Sequence, residues 1–166
     1  MDYAELPLPA ALDGLVAAVW TASVPDAGEW VEQEAVPDGC IELIRRHAGR
    51  SIWRREQPEL FATGLATVAA RLVLGAGARF TGVKLWPWAW HALGGARCPG
   101  FADDWIPVDD ARFAALIGED ARAIPERLVE AFRDIELPPV ARAIPGAESV
   151  AEIARRSGLS HRRLQR

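Results

Sequence analysis

The chain has 166 residues, half of them hydrophobic and a quarter charged, which suits one packed domain with a small appendage and excludes disordered and fibrous classes. No apolar stretch approaches the roughly 18 residues of a membrane helix, and two cysteines, Cys40 and Cys98, are too few for a disulfide scaffold or a four-cysteine zinc site. The net charge of −4 is unevenly spread: five arginines face one acid, Glu152, across residues 149–166, giving +4, so residues 1–148 carry −8.

The N-terminus, Met1-Asp2-Tyr3-Ala4-Glu5, lacks the basic start and apolar run of a signal peptide, so a cytoplasmic location is expected. Leu12, Leu15, Val16 and Val19 recur at helical spacing and predict a short amphipathic helix over 11–19. After Trp20 the turn-prone stretch Ser23 to Gly28 changes the pattern to short runs bounded by turn residues. These runs predict strands over 30–36, 41–46, 51–54, 68–74 and 80–86, with turns at Pro37-Asp38-Gly39, Ala48-Gly49-Arg50 and Gly75-Ala76-Gly77. Past Trp86 a helical pattern takes over. Trp88 to Leu93 predicts one or two turns stopped by Gly94-Gly95. Asp109 or Asp110 is placed to cap a helix ending at Gly118, and 119–135 predicts a longer helix that Pro125 must kink or restart. The expected fold class is therefore α+β: a curled, mainly antiparallel sheet or barrel-like N-terminal part, followed by a helical C-terminal part. Domain boundaries fall at 1–136 for the body, 137–148 for a proline-framed linker that holds a short helical piece, and 149–166 for a separate last unit.

That last unit carries the most specific pattern. Ser149 and Glu152 form a capping box, and Val150, Ile153 and Ala154 share one helical face. Gly158 suits a left-handed turn, Leu159 plugs it, and Ser160 caps a second helix with Leu164 turned inward. This is a helix-turn-helix pattern, in which the second helix enters the major groove. Ser160, His161, Arg162, Arg163, Gln165 and Arg166 are the candidate DNA-binding residues, since arginine and glutamine match guanine and adenine edges and further arginines grip phosphate.

From Val150 to Arg166 these residues resemble the first helix-turn-helix of the AraC/XylS family of bacterial transcription regulators, matching its "V..lA...G.S.R.LQR.F" pattern. Val36-Pro37-Asp38-Gly39-Cys40-Ile41-Glu42-Leu43-Ile44 is similar to the "PDG-x-x-E-L-I" signature of an N-terminal domain that precedes such readers. Trp20, Gly82-Val83-Lys84-Leu85 with Pro87, and Leu93-Gly94 follow the same order. The resemblance implies promoter DNA as the partner of the full-length parent, and a complete reader of about seven helices with two motifs. The present residues reach into the first recognition helix, so weak, salt-sensitive DNA binding is expected of them.

What the front domain does is read from its aromatics. Seven tryptophans invite an aromatic-walled pocket for a small apolar or cationic effector, with Trp20, Trp53, Trp86 and Trp88 as walls and Glu34 and Glu42 as polar anchors. The competing reading makes these tryptophans core or homodimer seam, and gives Glu42 a structural partner such as Arg71. His47, His91 and His161 fall in unrelated segments, so no metal or other cofactor is expected. No local nucleophile set occurs, Gly75-Ala76-Gly77 lacks the Gly-Lys-Ser/Thr of a phosphate loop, and Asp103-Asp104 and Asp109-Asp110 read as caps. No catalytic residue is assigned. A regulator is expected, with a small-molecule-binding domain or small enzyme as the alternative. A tryptophan-walled pocket without a paired acid and base would favour sensing over catalysis.

Overall fold

The computed structural model describes residues 1–26, 28, 30–144 and 147–164. The chain forms two compact units, Met1–Arg133 and Asp134–Arg166.

The first unit is built on ten described strands: β1 (Asp2–Leu6), β2 (Val16–Ser23), β3 (Val31–Ala35), β4 (Ile41–Ala48), β5 (Ser51–Trp53), β6 (Arg55–Glu56), β7 (Leu60–Thr63), β8 (Ala70–Leu74), β9 (Arg79–Leu85) and β10 (Trp105–Pro107). They pair antiparallel in two open sheets, one ordered β1-β2-β9-β4-β7-β10 and the other β3-β8-β5-β6. The fold is mixed α+β, as the short turn-bounded runs predict, but the sheet is divided in two and does not close into a barrel. The physical reason lies in the six-stranded sheet, whose central strands are apolar on both faces. Leu43 pairs with Val83 on one face of β4 and β9, while Ile44 and Gly82 pair on the other. One face carries Trp20, Ile44, Phe61, Phe80 and Trp105, which pack with Trp53, Ala70 and Leu74 of the smaller sheet into one apolar layer. The opposite face, with Val19, Leu43 and Val83 fully buried, is met by α2 (Ala111–Ile117) on β4 and β9. Each fully buried Leu, Val or Ile contributes about 1.5–3 kcal/mol, so a sheet covered on both faces is the stable solution for such strands.

The helix expected over 11–19 is instead a 3₁₀ turn at Ala10–Leu12 followed by β2. Val16, Ala18, Val19 and Trp20 are all buried because β2 is a central strand, and burial on both faces erases the alternation that marks a strand. The strand readings at 31–35, 41–48, 51–53, 70–74 and 79–85 stand within a few residues, as does the helix α1 (Pro87–Ala92). Asp110 caps α2 by accepting from the Arg112 amide at 2.8 Å, and Gly118 ends it. Asp103 and Asp104 cap nothing helical: Asp103 holds the Thr67 amide at 2.6 Å and Asp104 pairs with Arg55 at 3.0 Å, because β10 begins where a helix was expected. The long helix read over 119–135 breaks into a 3₁₀ turn at Ala121–Ala123 and α3 (Ile124–Ala131), with Pro125 in the first turn of α3, where a missing N–H costs nothing.

In the second unit, α4 (Pro139–Ala143) lies within the expected 137–148 linker and packs on α5 (Val150–Ser157). Pro145 and Gly146, which frame that linker in the sequence, lie outside the described residues. The Ser149 hydroxyl accepts from the Glu152 amide at 3.2 Å, while the Glu152 carboxylate reaches the Glu148 amide at 3.0 Å rather than closing the box on Ser149. Gly158 adopts φ 69°, and the Leu159 amide donates back to the Ala154 carbonyl at 3.0 Å, the wrap that terminates a helix in the left-handed conformation. α6 (His161–Leu164) follows. Ala154 is buried and Ile153 half-buried, as a close-packed helix pair requires, but Val150 is exposed and falls outside the buried stripe.

Candidate ligand cavity and its polar end

Between the two sheets of the first unit lies a cavity of about 330 Å³. That volume is within the range of small-molecule sites. Its walls are Trp20, Phe61 and Phe80 from the larger sheet and Trp53 and Leu74 from the smaller, with Tyr3 of β1 beside Trp20 at 5.8 Å between ring centroids. The packing of Trp20 depends on Gly82, its register partner on β9. A Cβ at Gly82 would lie 2.1 Å from Trp20 Cε2 and 2.6 Å from Nε1, so the indole lies across the space a side chain would fill.

One end of the cavity is charged. In the Pro37-Asp38-Gly39 turn, Asp38 Oδ1 accepts from the Cys40 amide at 3.0 Å, as the turn sequence predicts. Its Oδ2 accepts from Lys84 Nζ at 2.6 Å. Lys84 stands opposite Glu42 across the β4–β9 ladder, with 3.6 Å between the charged atoms. When ionised, Glu42 is an acceptor-only group, and Lys84 is its sole ion-pair partner among the described residues. Its side chain is 20% exposed, and that surface belongs to the cavity. Burial raises the Glu42 pKa; Lys84 opposes the rise and Asp38 adds to it. Lys84 is shifted upward: burial opposes, but the hydrogen bond to Asp38 and the charge of Glu42 outweigh it and keep the ammonium charged. Burial pushes the Cys40 thiol up to about 12, so it stays protonated. The indole N–H of Trp20 is buried without a hydrogen-bond acceptor among the described residues, although it lies close enough to Glu42 to favour the ionised carboxylate. At another part of the wall, Ser51 donates to Gln57 Oε1 at 2.6 Å, and both are buried.

Of the six residues read as pocket-forming, Trp20, Trp53, Glu34 and Glu42 line this cavity. Trp86 and Trp88 do not. The strand ends at Leu85 and Pro87 starts α1, so the chain leaves the sheet between them. Their rings stack on each other at 5.4 Å and 5°, and Trp88 Nε1 donates to the Gly14 carbonyl at 2.6 Å. Arg71 is not the partner of Glu42: it stands opposite Glu34 on the β3–β8 ladder, and Lys84 takes the place expected for it. Lys84, Tyr3, Phe61 and Gln57 are site residues that the sequence pattern does not single out. A lone lysine in the apolar run Phe80–Leu85, two residues from Gly82, is the available signal.

Outside the cavity, His47 bridges the Thr81 hydroxyl at 2.9 Å and Glu119 at 3.2 Å, and Arg45 reaches Glu119 at 2.7 Å. This row ties the segment after α2 to β4 and β9. No grouping of three metal-ligating side chains occurs among the described residues. Cys40 and Cys98 are both free thiols. In the second unit, Ser160, His161, Arg162 and Arg163 are exposed, whereas Gln165 and Arg166 lie outside the described residues. No helix among the described residues is long and apolar enough to cross a membrane.

A family model described as a domain of unknown function (DUF6597) matches residues 5–107, the span from β1 to the end of β10 that contains both sheets. No curated protein and no solved structure matches the chain.

Proposed function

The chain belongs to this family, DUF6597, and we propose that it is a bacterial transcription regulator of AraC type, in which the two-sheet domain receives a small effector and the C-terminal unit contacts promoter DNA. The observation that carries the reading is the second unit: a capped α5, a left-handed Gly158, and α6 with exposed His161, Arg162 and Arg163. A helix pair of this form with an arginine-rich outer face fits the major groove, with arginine on guanine edges and phosphates. The acidic charge of residues 1–148 supports it too, since it keeps the sensor body off the polyanion. The cavity supplies a place for the effector, and its mixed aromatic and polar lining suits a small, largely apolar molecule with a polar head.

Fluorescence anisotropy with a labelled mixed-sequence duplex tests the DNA reading. The 166-residue chain is expected to bind weakly at about 50 mM salt and to lose affinity steeply towards about 200 mM, as counterion release requires. Arg162→Ala with Arg163→Ala should flatten the logarithmic salt slope by about two, roughly one for each phosphate that is no longer neutralised. Absence of binding at low salt, or an unchanged slope in the double variant, contradicts the reading.

A second reading, a small enzyme, draws on Glu42, a carboxylate with a raised pKa inside a cavity. Lys84 remains charged beside it, so the pair offers an ion pair rather than an acid with a free base. Recovery of a bound molecule chemically unchanged after incubation separates a receptor from an enzyme.

A further inference from the structure

We infer that the ligand of the cavity is a neutral molecule with an apolar, ring-sized body and a hydroxyl group, the hydroxyl donating to the Glu42 carboxylate and accepting from the Trp20 indole N–H. The inference rests on the receptor reading above and names the ligand class for that site.

Two groups of opposite character stand together at the polar end, the Trp20 indole near enough to Glu42 to favour its ionised form. Trp20 is 8% exposed and its Nε1 has no acceptor among the described residues. An indole N–H can only donate, so the group that completes it must carry a lone pair. Glu42 can only accept when ionised, and Lys84 stands 3.6 Å away while giving its short bond to Asp38. A half-buried carboxylate that receives no short hydrogen bond from its cation has room for a further donor. A hydroxyl is the smallest group that offers both a hydrogen and lone pairs at one oxygen.

Charge excludes the ionic alternatives. An ammonium would meet the Lys84 ammonium next to Glu42 and would leave the Trp20 N–H without an acceptor. A carboxylate would satisfy Trp20 but would meet both Asp38 and Glu42 in a site where burial already raises the pKa of Glu42. Beyond this end the walls are Phe61, Phe80, Trp53 and Leu74, which take an apolar body by area and ring packing.

An NMR titration of the 166-residue chain with toluene, benzyl alcohol, benzylammonium and benzoate tests the inference, because the four probes share a ring and differ in the head group. Benzyl alcohol is expected to bind about tenfold tighter than toluene, the gain of a hydrogen bond to a charged acceptor, and tighter than either ion. Trp20→Phe and Glu42→Gln should each reduce the preference of benzyl alcohol over toluene by several-fold while toluene binding persists, which also verifies that the cavity is intact. Equal binding of toluene and benzyl alcohol overturns the hydroxyl assignment and leaves the receptor reading standing, as does tighter binding of benzylammonium, which assigns a cation instead. If no probe shifts any cavity resonance, both the assignment and the receptor reading fail.

Discussion

Gly82→Val is expected to destabilise the first unit by about 3 kcal/mol, at the upper end of what overpacking costs in a filled core. Strand propensity argues the other way, since valine is favoured over glycine in strands on a scale of about 1 kcal/mol. The local packing decides the sign. Cε2 and Cζ2 of Trp20 lie 2.1 and 2.2 Å from where the new Cβ would sit, and Trp20 is confined between the two sheets. The indole must swing into the cavity or the β2–β9 ladder must part. Urea denaturation should give a lower midpoint with an unchanged slope, together with altered tryptophan emission. A midpoint equal to or above that of the parent contradicts the packing described for Trp20.

Lys84→Met is expected to cost about 2–3 kcal/mol at neutral pH, below the range for breaking a fully buried pair because the three side chains keep some access to solvent. The substitution leaves Asp38 and Glu42, 32% and 20% exposed, without their shared cation. The cost should depend on pH, with a direction set by Glu42. Its pKa is raised in the fold, so the folded state binds that proton more tightly than the unfolded chain does. The stability from this group is full below the ordinary carboxylate range and is lost as pH rises through the raised value. Removing Lys84 takes away the larger of the two influences that oppose the rise, the other being the Trp20 indole. The penalty of Lys84→Met should therefore shrink as pH falls from about 8 towards about 4, because Glu42 takes up its proton before the ordinary carboxylate range is reached. Lys84 titrates above this window in both states and adds only a constant. Adding Glu42→Gln should restore part of the loss at neutral pH. A penalty that is the same at both ends of the window contradicts the assignment of Glu42 as a buried, cavity-facing carboxylate.

The sequence is most legible where one residue type has one physical use. Ser149 and Gly158 mark the ends of α5, Asp110 and Gly118 those of α2, and Asp38 the turn before β4. It is least legible in β2, where Val16, Ala18, Val19 and Trp20 are buried on both faces and the spacing of Leu12, Leu15, Val16 and Val19 imitates a helix. The edge strands β1 and β10 lack the turn-bounded apolar run that marks the others, and β10 ends on Pro107, which an edge strand tolerates. Part of the cavity follows from composition: Trp20, Trp53 and the two glutamates stand out as aromatics and acids among the strand runs. Lys84 does not, because its role depends on the β4–β9 register that sets it opposite Glu42, and a pairing of strands this far apart in sequence leaves no local trace. Trp86 and Trp88 stand out for the same reason as Trp20, but Pro87 turns the chain into a helix between them and their rings stack on each other instead.

That the two-sheet domain is a receptor is tested most directly by its own tryptophans, two of which line the cavity. Emission and melting temperature of the 166-residue chain are followed at fixed protein concentration against a panel of small hydroxylated and purely apolar ring compounds, and then against dilution of the protein alone. A receptor gives a saturable change in emission with at least one compound and a melting temperature that rises with its concentration, as binding to the folded state requires, while dilution leaves both unchanged. A panel that moves neither quantity, with dilution altering both, would make these tryptophans the seam of a homodimer and contradict the account.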